Sequence, residues 1–298
     1  MGRVRRVLSI ARATALEVLS EPLSLLVLLA ALVMMVLAPA FHYHQFGEAT
    51  RMARDAGLSS LFVCGTVVAV FGTIRSFRRE IESGTMAMAL AHPVSRTCFF
   101  VSKSLGACAA YMVFATIVFF VALIIVDGAE IGGAIAAKNG DIARLYGPNF
   151  AEGAGVIVLP LVLAAVLNRF CRARYVLSAF VLALLLSFAG AAFSSVRDVS
   201  WLLRLLPVAV LIGVFSAALL LASAAFSVRL KANAAASAAA VVLLAFLPAV
   251  GNYYMAEALA KGGTVPWSYV GLAGLAALPV FLAFLFLGIH FINGRDVS

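Results

Sequence analysis

The chain has 298 residues, of which 64% are hydrophobic and 12% charged, and carries a formal net charge of +9. A water-soluble domain is about half apolar and about a quarter charged, so this composition excludes a soluble globular enzyme. It points to an all-α polytopic membrane protein, because a helix satisfies its own backbone hydrogen bonds in lipid.

A β-barrel would read as short alternating strands, and the sequence holds no such pattern. The basic residues are spread over separate loops rather than gathered into one patch, so no nucleic-acid partner is expected. The lipid bilayer is the first partner that the composition implies.

Residues 1–21 are short, basic and periodic. Val4, Leu8, Ala11, Ala15 and Val18 fall near one helical face, with Arg5, Arg12 and Glu17 away from it. This predicts an amphipathic helix in the membrane interface. A signal peptide is the alternative, but the following apolar run is long and has no clear small-residue cleavage site, which favours a retained first span.

A spanning helix needs about 20 apolar residues. Eight segments approach that length: Leu23–Ala40, Leu58–Ile74, Leu105–Val126, Gly153–Leu167, Val176–Phe193, Pro207–Val228, Ala234–Val250 and Ser268–Ile292. Gly153–Leu167 is the shortest. If the N-terminus is inside and the crossings alternate, 15 of the Lys and Arg residues fall inside and 7 outside. That bias places both termini in the cytoplasm and suits a bacterial inner membrane. The outer segments are short; one of them sets Trp201 between Arg197 and Arg204 as an interfacial anchor.

The longest polar interval, Arg75 to Lys103, lies between the second and third apolar segments: RSFRREIESGTMAMALAHPVSRTCFFVSK. Glu80 and Glu82 flank Ile81, and Ser83-Gly84-Thr85 breaks the helix. Met86–Ala91 is expected to form another short helix, ended by His92-Pro93, because proline disfavours helix at the residue before it. Ser95 caps the helix that enters the next span. The expectation is a broken helical elbow at the membrane surface. The simpler reading is a basic loop that only anchors topology, but mixed acid–base chemistry around an apolar turn suits docking on a protein.

This stretch resembles the hallmark segment of the ABC type-2 transporter permeases: a glutamate-containing helix, a Gly-Thr step, an apolar turn and a Pro-x-Ser-Arg element before the third span and a lysine. Here these are Glu80, Glu82, Gly84, Thr85, Pro93, Ser95, Arg96 and Lys103. Ser227-Val228-Arg229-Leu230-Lys231 resembles the family's second cytoplasmic turn, and Gly294-Arg295-Asp296-Val297 its usual ending. The family core is often six spans, against eight here, so either Gly153–Phe193 is an added hairpin or one segment does not cross.

The resemblance implies a single transmembrane permease domain over residues 1–298, paired with a second permease copy, identical or related, and with a dimer of separate ABC ATPase subunits. It implies that 75–103 is the coupling elbow. Arg78, Arg79, Glu80, Glu82, Gly84, Thr85, Pro93, Ser95 and Arg96 would then carry the coupling to the ATPase. The sequence contains no GxxxxGK[ST] loop, so ATP is expected on the partner chain and no cofactor on this one.

His42 and His44 could share a metal, but they read first as an interfacial aromatic–polar cluster, so no metal site is expected. The four cysteines, Cys64, Cys98, Cys108 and Cys171, form no CxxC pair and read as small buried hydrophobes. Span interiors carry almost no charge, which argues against a proton relay. No catalytic constellation is legible. The expectation is a non-enzymatic permease subunit that exports substrate on power from another chain. An ATPase-independent carrier or channel, or a membrane scaffold for complex assembly, are the alternatives.

Overall fold

The structure, a computed structural model, describes residues 2–37, 49–83, 95–139, 143–172, 174–197, 199–250 and 265–294. The described elements are helical: α1 (Gly2–Ser20), α2 (Pro22–Leu37), α3 (Ala49–Val67), a π-helical turn (Val68–Gly72), α4 (Thr73–Glu82), α5 (Arg96–Asn139), α6 (Ala143–Cys171), α7 (Tyr175–Arg197), α8 (Ser200–Arg229), α9 (Ala232–Val250) and α10 (Trp267–Asn293). No strand occurs among the described residues, as the composition requires.

Helix α5 is the axis of the bundle. It is apolar on every side, and a helix of that kind is stable only when other elements surround it. It packs against α1, α3, α6, α7, α8 and α10. Phe100, Tyr111, Phe114, Ile117, Val118, Val121 and Val126 on it are fully buried. Its start is fixed locally, because the backbone N–H of Cys98 donates to Ser95 Oγ at 3.2 Å. Ser95 therefore caps the helix as the sequence predicts.

Each of the eight apolar segments overlaps a helix. Among the described residues, five helical stretches qualify as membrane spans by length and hydropathy: Thr50–Glu82, Arg96–Ile131, Tyr175–Ser194, Ser200–Arg229 and Trp267–Asn293. The count rises to 6 if Val4–Ser20 and Pro22–Leu37, bent by 61° at Glu21, are taken as one. Gly155–Cys171 and Ala232–Leu243 are apolar but shorter.

The second span runs unbroken from α3 through the π turn into α4. The polar stretch therefore begins as a continuation of a membrane helix, not as a loop. A π turn widens the helix by one residue and is often found at functional positions. Here it precedes the face of α4 that turns inward, where Thr73, Ile74, Ser76 and Phe77 are buried.

Helix α1 is more deeply engaged than an interfacial helix needs to be. Thr14, Val18 and Leu19 are buried, whereas Val4 and Leu8 are exposed. The contact with α5 is backbone-close at Gly106, where an added Cβ would strike the Ala11 carbonyl oxygen and come within 2.7 Å of Thr14 Cβ. Only glycine permits that approach.

At the end of the bundle where α4 and α5 meet the tips of α8 and α10, a separate apolar cluster of Phe77, Phe99, Phe100, Ala224, Val228 and Ile292 ties the four helices together. The Phe77 and Phe100 rings lie 5.6 Å apart. At the other end, Trp201 Nε1 of α8 donates to Glu130 Oε2 of α5, and the Arg204 guanidinium sits 5.2 Å from the Trp201 ring.

Candidate functional site

The site is built where α1, α4 and α5 converge. Helix α4 reads TIRSFRREIE. Its 3.6-residue period puts Ile74 and Phe77 on the packed face and Arg75, Arg79 and Glu82 on the exposed one. Ser76 is buried beside the packed face, and Glu80, one turn further on, is half-buried.

The element opposite them is Lys103 of α5. It is 0% exposed, although by sequence it closes a polar elbow. Its Nζ lies 2.7 Å from Glu80 Oε1 and 3.9 Å from Glu17 Oε2. Neither contact has the geometry of a hydrogen bond, so these are charge contacts. The ammonium also lies 5.5 Å from the Phe77 ring centroid and 6.0 Å from that of Phe99. Burying an unpaired ammonium costs several kcal/mol. Two carboxylates and two aromatic faces offset that cost here.

Glu17 of α1 and Glu21, at the bend just after it, complete the cluster. Glu17 and Glu21 are one turn apart, as are Arg75 and Arg79, and the two helices run antiparallel along this edge. Arg79 Nη1 lies 3.8 Å from Glu17 Oε1, and Arg75 Nη1 donates to Glu21 Oε2 at 3.3 Å. Ser76 Oγ donates to the second oxygen of Glu17 at 3.2 Å. Lys103, Arg75 and Arg79 thus face Glu17, Glu21 and Glu80, a balanced set shared among three helices.

Two further arginines of the stretch hold the carbonyl ends of neighbouring helices. Arg78 donates to Glu82 Oε1 at 2.6 Å through Nη2 and to the Leu230 carbonyl at 3.4 Å through Nη1. Leu230 is the residue that ends α8. Arg96 Nη1 donates to the carbonyls of Ile292 and Asn293, at 3.5 and 3.0 Å, at the end of α10. A cation at a helix C-terminus is well placed, since the last carbonyls have no partners within the helix. These arginines join spans far apart in sequence to the two sides of the polar stretch.

Of the residues singled out by sequence, Glu80 enters the buried cluster and Arg79 lies at its exposed edge, Arg78 and Glu82 form a pair on α4, Ser95 caps α5 and Arg96 ties it to α10. Glu80 turns toward Lys103, while Arg79 and Glu82 keep side chains that are 68% and 63% exposed. Gly84, Thr85, the Met86–Ala91 segment and Pro93 lie outside the described residues, as do His42 and His44. Among the described residues no group of three His, Cys, Asp or Glu side chains is placed to hold a metal. Glu17 and Glu21 are the site residues that sequence reasoning missed. Their signal was the one-turn spacing, which matches Arg75 and Arg79.

A family model described as ABC-2 family transporter protein matches residues 20–190, a range that contains α2 through most of α7 and the whole polar stretch. Neither the curated proteins nor the solved structures give a match. A family match over more than half of the chain, on a bundle of membrane-spanning helices, identifies the protein as a multi-pass permease belonging to the ABC-2 transporter family.

Proposed function

We propose that this chain is the membrane subunit of an ABC exporter, driven by a separate dimer of ATPase subunits and paired with a second permease copy. In this reading all eight apolar segments cross the inner membrane and both termini are cytoplasmic. The ATPase docks on the segment between Glu82 and Ser95, touching the exposed side chains of Arg79 and Glu82. Gly84, Thr85 and Pro93, which the family resemblance singles out, belong to that docking segment in this reading. Arg78, Glu80, Ser95 and Arg96 hold its two stems. ATP is bound by the partner and not by this chain.

The observation that carries this reading is the buried ion pair of Lys103 with Glu80, with Glu17 beside it. Movement imposed beyond Glu82 enters α4 first. Ion pairs in a buried, low-dielectric seam resist separation, so α4 drags the first turns of α5 and the last turn of α1 with it. Since α4 continues the second span and α5 is the third, the motion tilts two membrane helices together. A pathway between paired subunits then changes the side to which it opens.

The test is co-purification from the native membrane in mild detergent. Glu82→Lys combined with Arg79→Glu reverses the exposed charges and leaves Lys103 and Glu80 in place. The expected result is loss of a co-purifying ATPase and of substrate-stimulated ATP hydrolysis. An undiminished partner with undiminished hydrolysis would overturn the docking role. If wild-type membranes yield no ATPase partner at all, the chain works without one.

A further inference from the structure

We propose that the seam between α8 and α10 is a binding site for an anionic phospholipid. The seam holds two cavities in line. One, of about 320 Å³, is lined by Leu211, Phe215 and Ala218 of α8 and by Tyr269, Leu272 and Ala276 of α10 among others. Small alanines opposite Leu211 and Phe215 leave a slot, and Leu272, 66% exposed, places its mouth on the outside of the bundle. The second, of about 280 Å³, lies at the helix ends between Val228 and Arg229 on one side and His290, Phe291 and Gly294 on the other.

The two cavities are chemically unlike. The first is apolar throughout except for Tyr269, whereas the second offers a guanidinium and an imidazole. The Arg229 guanidinium stacks 5.4 Å from the Phe291 ring, and the adjacent His290 ring lies 6.2 Å from the same ring. Both side chains are exposed. Among the described residues no carboxylate pairs with either. This differs from the neighbouring Arg75, Arg78 and Arg79, each of which has an acidic partner. Among the described residues, the second cavity therefore presents basic groups without a carboxylate partner.

The spacing between the cavities selects the occupant. From Ala218 to Val228 on α8, and from Val280 to His290 on α10, is ten residues, or about 15 Å along a helix. Half the hydrocarbon thickness of a bilayer is also about 15 Å. A phosphate held at Arg229 and His290 therefore puts the acyl chain of the same molecule into the apolar slot. Arginine suits a phosphodiester because its forked donors match two oxygens at once. Basic pockets between membrane helices bind anionic headgroups by the same chemistry. The lipid would fill the groove along which α10, otherwise buried only at Val270, Gly288 and Ile292, rests on the bundle.

Native mass spectrometry of the full chain, reconstituted with equal amounts of phosphatidylglycerol and phosphatidylcholine of matched acyl chains, tests the assignment. One phosphatidylglycerol should be retained in preference. Arg229→Gln together with His290→Gln, which removes both headgroup contacts, should reduce that preference by about tenfold or more. Arg229→Lys should keep most of it. Ala276→Phe, which fills the slot and spares the charges, should lower retention of the lipid and tests the site even if the double variant fails to fold. Equal retention of both headgroups by the unaltered chain, or a preference unchanged in all variants, overturns the proposal. So does displacement by millimolar inorganic phosphate, which would identify a free-anion site. Efficient disulfide formation between copies carrying Leu272→Cys overturns it too, because a second copy would then cover the seam.

Discussion

Lys103 Nζ stands 2.7 Å from Glu80 Oε1 across the junction of α5 and α4, with the lysine wholly out of solvent. This pair joins the end of one membrane helix to the start of the next without relying on the segment that connects them. Removing one partner of a buried pair leaves an uncompensated charge, which costs about 3 kcal/mol or more. Lys103→Met should therefore lower the unfolding temperature in detergent by many degrees. Lys103→Met with Glu80→Gln should recover much of the loss, because both charges leave together. A double variant no more stable than the single one would show that the pair is not the main stabilising contact.

The edge between α1 and α4 should divide unequally. Arg75 and Arg79 keep 57% and 68% of their side chains exposed, and ion pairs of that exposure contribute about 0.2–1 kcal/mol. Glu21→Ala should thus change stability little, and less still at high salt. Glu17 also accepts from Ser76 and faces Lys103, so Glu17→Ala should cost about 2 kcal/mol, the loss of a hydrogen bond to a charged group. Thermal unfolding at low and high ionic strength separates the two.

Gly106 sets how closely α1 approaches α5. Any side chain there meets backbone at Ala11, which cannot swing aside as a side-chain tip can. Overpacking of this kind typically costs about 1–3 kcal/mol, and Gly106→Val should lie at the upper end. The expected signature is faster hydrogen exchange through 2–20 while α5 stays protected.

Gly288 of α10 is a second close approach, with an added Cβ falling onto the Phe100 ring. Phe100 is itself 0% exposed and packs at a tilt against Phe77. Gly288→Ala should loosen α10, and Phe100→Leu in the same chain should partly restore it by making room. Hydrogen exchange at 285–294 in the single and double variants measures the coupling; additive effects would mean that the two residues do not meet.

Ser95→Ala removes the cap of α5 and should cost about 1 kcal/mol. The effect should appear as fraying of 96–99, read by hydrogen exchange, without disturbing Lys103 further along the helix.

The amino-acid order alone determines that this is a helical protein of the bilayer. Apolar runs of spanning length cannot be anything else in a chain with so few charges, and caps and breaks such as Ser95 and Ser83 are local chemistry that any fold would inherit. The Arg75–Lys103 stretch also carries enough side-chain chemistry to resemble the family to which the match over residues 20–190 assigns the chain.

What the order could not convey is which polar groups go inside. Lys103 reads as the last charge of a surface elbow, because the sequence does not say which distant helices cover its face. Its burial comes from Phe77 and Phe99 beside it, and from α1, drawn close at Gly106. Glu17 looked like the polar side of an interfacial helix and became an internal counter-charge. Helical periodicity reports that a residue lies on a face, but which neighbour covers that face is settled only when distant helices pack. The number of crossings is a tertiary matter for the same reason, since the 61° bend at Glu21 decides whether α1 and α2 count as one span.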